Sequence, residues 1–241
     1  MDSPRHILLD AALRLAPFEG WTDRTLAQAL ETAGMPPGSG ALYVPDGPLG
    51  LIDLWHHRTL DHVREALAAR GLANMRVRDR IEAGVRLALE AIGRDETAMR
   101  RALARLALPD AAGQGPRQLW EMADVIWASI GDTSTDANYY SKRAVLSVVI
   151  ASSLRAWLAD PDPDKRNARA HLDRRLDDVL RFEAFKARAR GLRAVLPDPA
   201  ALLGGLRYGR GGPRGDTGYT PLGPLGPFRP ASTKSRRRRS R

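Results

Sequence analysis

Apolar residues recur along the chain at the three- and four-residue spacing that places side chains on one face of a helix. This spacing predicts a first helix over residues 4–16, which Pro17 and Gly20 end. Thr22 can then cap a second helix that Gly34 ends, since threonine suits helix starts and glycine suits helix ends. The N-terminal pattern therefore predicts two short helices joined by a tight turn.

The same spacing continues through the rest of the chain, and no stretch alternates apolar and polar residues as a half-buried strand would. A turn is predicted at Gln114-Gly-Pro-Arg117 and a break at Asp160-Pro-Asp-Pro-Asp164. The sequence therefore predicts an all-α fold. Its further helices are predicted over residues 48–69, 75–93, 95–107, 119–130, 132–158 and 165–189.

The helix predicted over residues 132–158 differs from the others because it becomes apolar on every side after Arg143. A helix that is apolar all round is expected to be buried all round, so we predict that this one is central. Its first turns instead carry Asn138, two adjacent tyrosines and a Lys-Arg pair, and two acids, Asp132 and Asp136, come before them. We expect the acids to lie at the helix N-terminus, whose partial positive charge favours them.

Charge distinguishes the end of the chain from its body. Of the net charge of +10, the segment 205–241 carries +9, from ten Lys or Arg against one acid. Beyond residue 210 the chain cannot bury enough apolar surface to fold alone, so we predict a disordered basic tail over residues 211–241. Its charge implies an anionic partner, either nucleic acid or acidic lipid. Residues 191–210 are predicted to form an amphipathic helix.

The composition allows a sizeable core, since 43% of the residues are hydrophobic. The absence of cysteine excludes disulfides, thiolate metal ligands and cysteine nucleophiles, and it is typical of a reducing compartment. The first residues lack the pattern of a signal peptide, and no apolar run approaches the roughly 18 residues of a spanning helix. We therefore expect a soluble protein, or one that contacts membranes only at their surface.

No catalytic motif is present: the chain has no glycine-rich phosphate loop, paired-histidine zinc motif or Gly-x-Ser-x-Gly sequence. His56, His57 and His62 lie close together in the helix over 48–69, which leaves a metal-dependent enzyme as an alternative. The favoured interpretation is solvated or locally hydrogen-bonded histidines, because no second cluster completes a coordination sphere. We expect no catalytic residues, no metal and no cofactor.

The first fifty residues resemble the helix-turn-helix domain of TetR-type repressors, with a Phe18-Glu-Gly-Trp-Thr22 turn between two helices and a short third segment around Leu42. A recognition helix presents Arg, Lys, Asn or Gln to base edges and phosphates. The segment 35–48 contains no Lys or Arg, and Ser39 is almost its only candidate contact. A TetR-type DNA-binding regulator stays as the alternative function, although we do not expect sequence-specific DNA binding.

A second and more specific resemblance covers residues 5–185. It is carried by Trp127, by Gly20-Trp-Thr22 and by the motif Gly131-Asp-x-Ser-Thr-Asp-x-Asn-Tyr-Tyr-x-x-Arg-Ala-Val-Leu146. In these residues the chain resembles the lipid-binding accessory family of coenzyme Q (ubiquinone) biosynthesis, which has a TetR-like fold. The motif at 131–146 separates the chain from repressors, which do not share it.

This resemblance implies a TetR-like multi-helix bundle with a helix-turn-helix remnant over residues 1–46 and a larger lipid-binding and dimerisation domain over 47–190. It implies a non-catalytic homodimer that binds isoprenoid quinone intermediates or phospholipid at the membrane. The homodimer would present these lipids to the hydroxylase that acts on demethoxyubiquinone. The implied location is cytoplasmic and peripheral on the inner membrane of a bacterium, or the matrix side of a mitochondrion in a eukaryote.

The resemblance also assigns sites to particular residues. The partner surface for the hydroxylase comprises Asn138, Tyr139, Tyr140 and Arg143, and Tyr139 stands where the family usually has tryptophan. The lipid cavity, assigned by helix face, is lined by Met122, Ile126, Trp127, Leu146, Val149 and Ile150. The terminal helix contacts the membrane through Leu202, Leu203, Leu206 and Arg207.

Overall fold

A computed structural model of the protein describes residues 3–135 and 137–195. These residues contain no β-strand, which confirms the predicted all-α fold. Three short 3-10 helices lie at Leu72–Asn74, Gly93–Asp95 and Pro109–Ala111. The α-helices are α1 (Pro4–Glu19), α2 (Asp23–Thr32), α3 (Gly40–Tyr43), α4 (Gly47–Ala69), α5 (Val77–Ile92), α6 (Glu96–Leu106), α7 (Gln114–Ser129), α8 (Ala137–Ala159) and α9 (Arg166–Val195).

The N-terminal helices begin and end close to the predicted positions. Thr22 caps α2 as predicted, because its hydroxyl accepts a hydrogen bond from the Thr25 backbone N–H at 3.1 Å. The first helix is longer than predicted, since it continues through Pro17 to Glu19. A proline in the last turn removes one backbone hydrogen bond without ending the helix. Gly20 ends it instead, with a φ of +74° that side chains with a Cβ rarely adopt.

The segments that precede α7 and α8 differ from the prediction. Gln114–Arg117 forms the first turn of α7, because the first N–H groups of a helix need no internal partner and so tolerate Pro116. Helix α8 begins at Ala137, so Asp132 lies in the connecting segment rather than in the first helical turn. The predicted break after α8 is confirmed, and Asp160 accepts a backbone N–H of the first turn of α9 at 2.8 Å.

Two hydrophobic clusters hold the helices together. The first joins α1, α2, α6 and the start of α4, and it contains Trp21, whose ring stacks on Trp55. The Trp21 indole N–H donates to the Ala98 carbonyl at 3.0 Å. The second cluster joins the end of α4 with α5, α7, α8 and α9. Met99 of α6 packs against both clusters, so α6 ties the helix-turn-helix region to the larger helical region.

The central helix α8 is buried on one side only. Leu146 and Ile150 lie in the second cluster, whereas Val145 is partly exposed and Val148 is 70% exposed. The prediction that this helix is buried all round is therefore wrong for a single chain. Within the described residues α8 packs against α5 and α7, and the opposite side of the helix stays uncovered.

The chain divides into two units, Met1–Arg190 and Gly191–Arg241. The helix-turn-helix region predicted over 1–46 and the helical domain predicted over 47–190 both lie within the first unit. Residues 191–195 are the last residues of α9. The rest of the helix predicted over 191–210, with Leu202, Leu203, Leu206 and Arg207, and the tail predicted over 211–241 lie outside the described residues.

No helix in the described part of the chain is both long enough and apolar enough to cross a membrane.

Candidate functional site

A cavity of about 620 Å³ lies where the two hydrophobic clusters meet. Its volume falls within the range of pockets that bind small molecules. The buried part of its wall is mainly apolar, with Thr59 and Gln118 as its buried polar residues. Its apolar members include Ile52, Ala88, Leu89, Ala102, Met122 and Ile150. The exposed residues of the lining mark its mouth, and they are Arg100, Leu103, Ala107, Pro116, Arg155 and Ala159.

Two of the six residues predicted to line a lipid cavity contribute to this one, namely Met122 and Ile150. The other four lie outside its lining, in or against the second hydrophobic cluster: Ile126, Trp127, Leu146 and Val149. Assignment by helix face missed the residues that α4, α5 and α6 contribute, such as Trp55, Leu89 and Met99. In the sequence these side chains look like ordinary core, so only the packing of the helices reveals their role.

The wall also includes a hydrogen-bonded network between α4 and α7. His56 Nε2 lies 3.1 Å from Glu121 Oε2, and the Arg117 guanidinium donates to Glu121 at 2.8 Å and also to Asp53. Burial, only partly opposed by the nearby Glu121 carboxylate, lowers the pKa of His56 to about 4. His56 is therefore neutral at pH 7 and makes the cavity wall polar there without adding charge.

The neighbouring histidines of α4 make separate contacts. His57 Nδ1 lies 2.8 Å from the Asp53 carbonyl oxygen one turn earlier, and His62 lines a different surface pocket with Arg58. Across residues 3–135 and 137–195, no three His, Asp or Glu side chains come together in a way that could hold a metal ion.

A network of charged and polar side chains holds the connection between α7 and α8. We call it the junction network, and it consists of Asp124, Asp132, Ser134, Tyr139, Lys142 and Arg143. Gly131, with a φ of +87°, turns the chain at the end of α7. The Arg143 guanidinium then donates to Asp124 at 2.6 Å and to Asp132 at 3.1 Å, while Lys142 Nζ donates to Asp132 at 2.6 Å. The network therefore joins both helices and the segment between them.

Asp132 lies at the centre of this network, and only 6% of its side chain is exposed. Burial alone would raise its pKa, but hydrogen bonds from Lys142, Ser134 and Arg143 outweigh that effect and lower the pKa of Asp132 to about 2. Asp132 is therefore ionised at every physiological pH. Its charge compensates the buried guanidinium of Arg143, which would otherwise be costly to bury.

The four residues of the predicted partner surface differ in accessibility. Asn138 is exposed and Tyr140 is 64% exposed, whereas Arg143 is only 3% exposed. Arg143 lies against the ring of Tyr139, with 3.4 Å from its Cζ to the ring centroid. Tyr139 is half-buried and donates its hydroxyl to Asp124 at 3.1 Å. The assignment of Arg143 to an exposed partner surface is therefore corrected: two carboxylates and a ring enclose Arg143, which supports Tyr139 from inside.

A third aromatic ring, which the sequence did not assign, adjoins the two tyrosines. Trp120 of α7 is half-buried, and its ring centroid lies 6.2 Å from that of Tyr140. The rings of Tyr139 and Tyr140 meet edge to face at 5.2 Å. Trp120, Tyr139 and Tyr140 thus form one patch, which we call the aromatic surface. Trp120 belongs to α7 and the tyrosines to α8, so only the packing of these two helices reveals that the three rings meet.

The helix-turn-helix region lacks a developed recognition helix. Helix α3 spans only four residues, and Ser39 just before it donates its hydroxyl to the Pro36 carbonyl at 2.7 Å. The exposed side chains of α3 are those of Ala41 and Leu42, and Leu42 is 82% exposed. The one polar group that the sequence offered for base contacts is therefore engaged within its own loop.

In sequence the chain is similar to the COQ9 family, whose family model matches residues 112–183. It is 30% identical over 187 residues to "Ubiquinone biosynthesis protein COQ9, mitochondrial" of Rattus norvegicus, a match that covers 73% of this chain and 58% of that protein. The protein of the same name from Homo sapiens is 27% identical over 186 residues, which cover 73% of this chain and 57% of that one. These matches confirm the predicted resemblance to the ubiquinone accessory family. The chain spans less than two thirds of the length of these relatives.

In structure the chain is similar to the TetR transcriptional regulator from Nitrosomonas europaea ATCC 19718. The TM-score is 0.59, and the match covers 73% of this chain and 97% of that chain. At 16% identity this likeness concerns the fold alone, and it confirms the predicted TetR-like fold.

Proposed function

We propose that this chain, which is similar to the COQ9 family, acts in ubiquinone biosynthesis as a non-catalytic lipid-binding accessory protein. It binds isoprenoid quinone intermediates or phospholipid at the membrane and presents them to the hydroxylase that acts on demethoxyubiquinone. The observation that carries this proposal is the apolar cavity of about 620 Å³ in a chain similar to proteins named for ubiquinone biosynthesis.

The size and chemistry of the cavity suit part of a lipid tail. At about 30 Å³ per water-sized group, the cavity holds on the order of 20 non-hydrogen atoms, or roughly four isoprene units. Each methylene left in water costs about 0.8 kcal/mol, so a lipid leaves a bilayer only when another apolar surface receives it. The apolar wall offers such a surface, and a longer tail extends out through the mouth.

The aromatic surface supports the proposed contact with the hydroxylase. Exposed aromatic side chains are enriched where protein interfaces derive most of their binding free energy. Tyr140 is accessible, Trp120 lies beside it, and Tyr139 is held in place by Arg143 and Asp124. In this proposal Asn138 and Tyr140 contact the hydroxylase directly, while Arg143 orients the tyrosines.

The uncovered side of α8 supports the proposed homodimer, since the exposed Val145 and Val148 would be buried by a second copy. The proposed membrane contacts through Leu202, Leu203, Leu206 and Arg207 depend on the sequence alone. The relatives named above are called mitochondrial, so we place this protein on the matrix side of the mitochondrial inner membrane, or on the cytoplasmic side of a bacterial one.

Lipid extraction tests the proposal directly. The full chain is purified without detergent, extracted with organic solvent, and the extract is analysed by mass spectrometry. We expect isoprenoid, quinone or phospholipid at near-stoichiometric amounts. Ala151→Trp, which places an indole at a half-buried position of the lining, should abolish this co-purification.

The matched control is Ala104→Trp, because Ala104 is an exposed residue of α6 outside the cavity lining. Circular dichroism must show that both variants keep the helical content of the wild type. An extract without lipid, or one whose lipid content is the same in Ala151→Trp, contradicts the proposal.

A TetR-type DNA-binding regulator is the second candidate, and the observation that favours it is the TetR-like fold. The segment 35–48 argues against this second function. The Ser39 hydroxyl is hydrogen-bonded within its own loop, and the segment has no Lys or Arg to bind DNA phosphates. A defined footprint on double-stranded DNA that depends on residues 36–44 would establish this second function.

A further inference from the structure

The mouth of the cavity carries positive charge that its lining does not neutralise. Two lining residues are arginines, Arg100 and Arg155, and none of the described residues that line the cavity is acidic. His56 contributes no charge at pH 7. An uncharged quinone ring does not require positive charge at the mouth, because it is recognised by hydrogen bonds and apolar contact alone.

Both arginines line the same cavity, Arg100 from α6 and Arg155 from α8. The Arg100 guanidinium donates to the backbone carbonyl of Leu158, which lies three residues after Arg155 in α8. Arg100 also lies 3.9 Å from Glu96, but Glu96 is the partner of Lys165 at 2.7 Å. Within the part of the chain that the structure describes, Arg155 forms no hydrogen bond or ion pair.

An unpaired guanidinium at the opening of an apolar cavity fits one class of ligand. Arginine presents parallel N–H groups that match the two oxygens of a carboxylate or phosphate. A ligand with an apolar tail in the cavity and an anionic group at its end would satisfy both the wall and the mouth. The cavity volume limits the enclosed tail to about 20 non-hydrogen atoms.

We propose that the cavity selects amphiphiles with an anionic head group, a carboxylate or a phosphate monoester, which Arg155 binds at the mouth with support from Arg100. This inference rests on the proposed function, since it presumes that the cavity holds lipid. Among the lipids of the proposed function it distinguishes uncharged quinones, which the apolar wall alone binds, from acidic amphiphiles, which the mouth binds more tightly.

Three ligands with the same tail test the proposal: dodecanoate, dodecyl phosphate and dodecan-1-ol. Their binding to the delipidated full chain is measured by isothermal titration calorimetry at pH 7.5 and low salt. We expect the anions to bind about tenfold more tightly than the alcohol. Arg155→Gln should weaken anion binding about fivefold, as expected for a partly exposed ion pair, and leave the alcohol unchanged. A preference between the two anions identifies the carboxylate or the phosphate as the natural head group.

Two control variants distinguish the effect of the charge at the cavity mouth from the effect of the net charge of the protein. Arg155→Lys keeps the charge and should retain most of the preference for anions. Arg174→Gln removes an exposed arginine of α9 that lies outside the lining, and it should leave the binding of all three ligands unchanged.

The proposal is overturned if the wild type binds the alcohol as tightly as the anions, or if Arg155→Gln weakens all three ligands equally. Either result still leaves a cavity that binds lipid, so the proposed function survives. If none of the three ligands binds, the proposed lipid-binding function itself fails.

Discussion

The segment between α2 and α4 and the segment between α7 and α8 both connect helices through short irregular chain, yet they hold their shape in different ways. Between α2 and α4 the shape depends on the backbone, with positive φ at Gly34, Gly38 and Gly47 and with prolines between them. Between α7 and α8 it depends on side chains, since the charges of the junction network join the two helices. A loop whose shape depends on its backbone does not require its surface side chains to make particular contacts. A loop whose shape depends on buried charges also orients the residues that contact those charges.

This difference bears on function. In a repressor the α2–α3 region is the surface that contacts DNA, but here it has Leu42 exposed and Ser39 engaged within the loop. The junction network instead supports the aromatic surface from inside, through Arg143 and Tyr139. The TetR-like fold is retained, while the oriented surface lies at the connection between α7 and α8, in the middle of the chain.

The largest effect is expected from Asp132→Asn. This variant removes the charge that compensates the buried Arg143 and leaves that guanidinium with Asp124 as its carboxylate partner. Removing one partner of a buried ion pair costs about 3 kcal/mol of the free energy of unfolding. Urea denaturation followed by circular dichroism measures the loss.

The matched control for that variant is Asp46→Asn, in the segment between α2 and α4. Asp46 is exposed, and its side chain does not cap α4. We expect a change within about 0.5 kcal/mol. Equal losses in the two variants would mean that the two segments are held in the same way, and the contrast would be lost.

The pH dependence of stability gives the next largest effect. Asp132 has its pKa lowered to about 2 in the folded chain, from an ordinary value of 3.8. A carboxylate whose folded pKa is depressed stabilises the protein above its unfolded pKa, and this contribution disappears as the pH falls through the folded pKa. We expect wild type to lose about 2 kcal/mol more than Asp132→Asn between pH 4.5 and pH 2. Parallel pH profiles for the two proteins would disprove the role of Asp132.

Substitutions of the two tyrosines should distinguish a residue that stabilises the aromatic surface from one that contacts the hydroxylase. Tyr139→Ala removes the ring against Arg143 and the hydrogen bond to Asp124, so we expect a loss of about 1–2 kcal/mol of unfolding free energy as well as weaker association with the hydroxylase. Tyr140→Ala should weaken association while changing stability by less than about 0.5 kcal/mol. Pull-down and urea denaturation of both variants give the comparison. Unchanged association in Tyr140→Ala would remove the aromatic surface as the docking site.

The smallest effect is expected in the helix-turn-helix region. Leu42→Ala should change stability by less than about 0.5 kcal/mol, because the side chain is almost fully exposed. It should also leave DNA binding unchanged, since any binding by the basic C-terminal segment is independent of α3. Footprinting at several salt concentrations tests this, and a protected site that Leu42→Ala removes would favour a regulator.

The sequence was informative where local chemistry decides the structure. The apolar spacing over 48–69 matches α4, and Thr22 caps α2 as its type and position indicate. Pro17 and Pro116 suggest a helix end and a turn, but both lie in end turns, where a helix tolerates proline. Local signals therefore gave the order and type of the helices but not every boundary.

The candidate site was less predictable because it depends on contacts between distant segments. From the sequence alone Arg143 is expected at the surface. In the folded chain Asp124 and Asp132, 19 and 11 residues away, accept hydrogen bonds from it and help to bury it. The cavity takes about half of its wall from α4, α5 and α6, whose apolar residues carry no signal that separates a cavity wall from a core. The charge of its mouth likewise depends on bringing Arg100 and Arg155 together.

The position of the cavity between the two hydrophobic clusters has a consequence for the amount of protein in a cell. In the proposed function, a lipid tail bound there would fill the gap between the clusters and add contacts to both, so the loaded chain would be more stable than the empty one. At a ligand concentration 100 times the dissociation constant this linkage contributes about 2.7 kcal/mol. Chains that remained empty would then spend more time unfolded and would be degraded sooner. The abundance of this protein would then follow the supply of its lipid without any separate sensor.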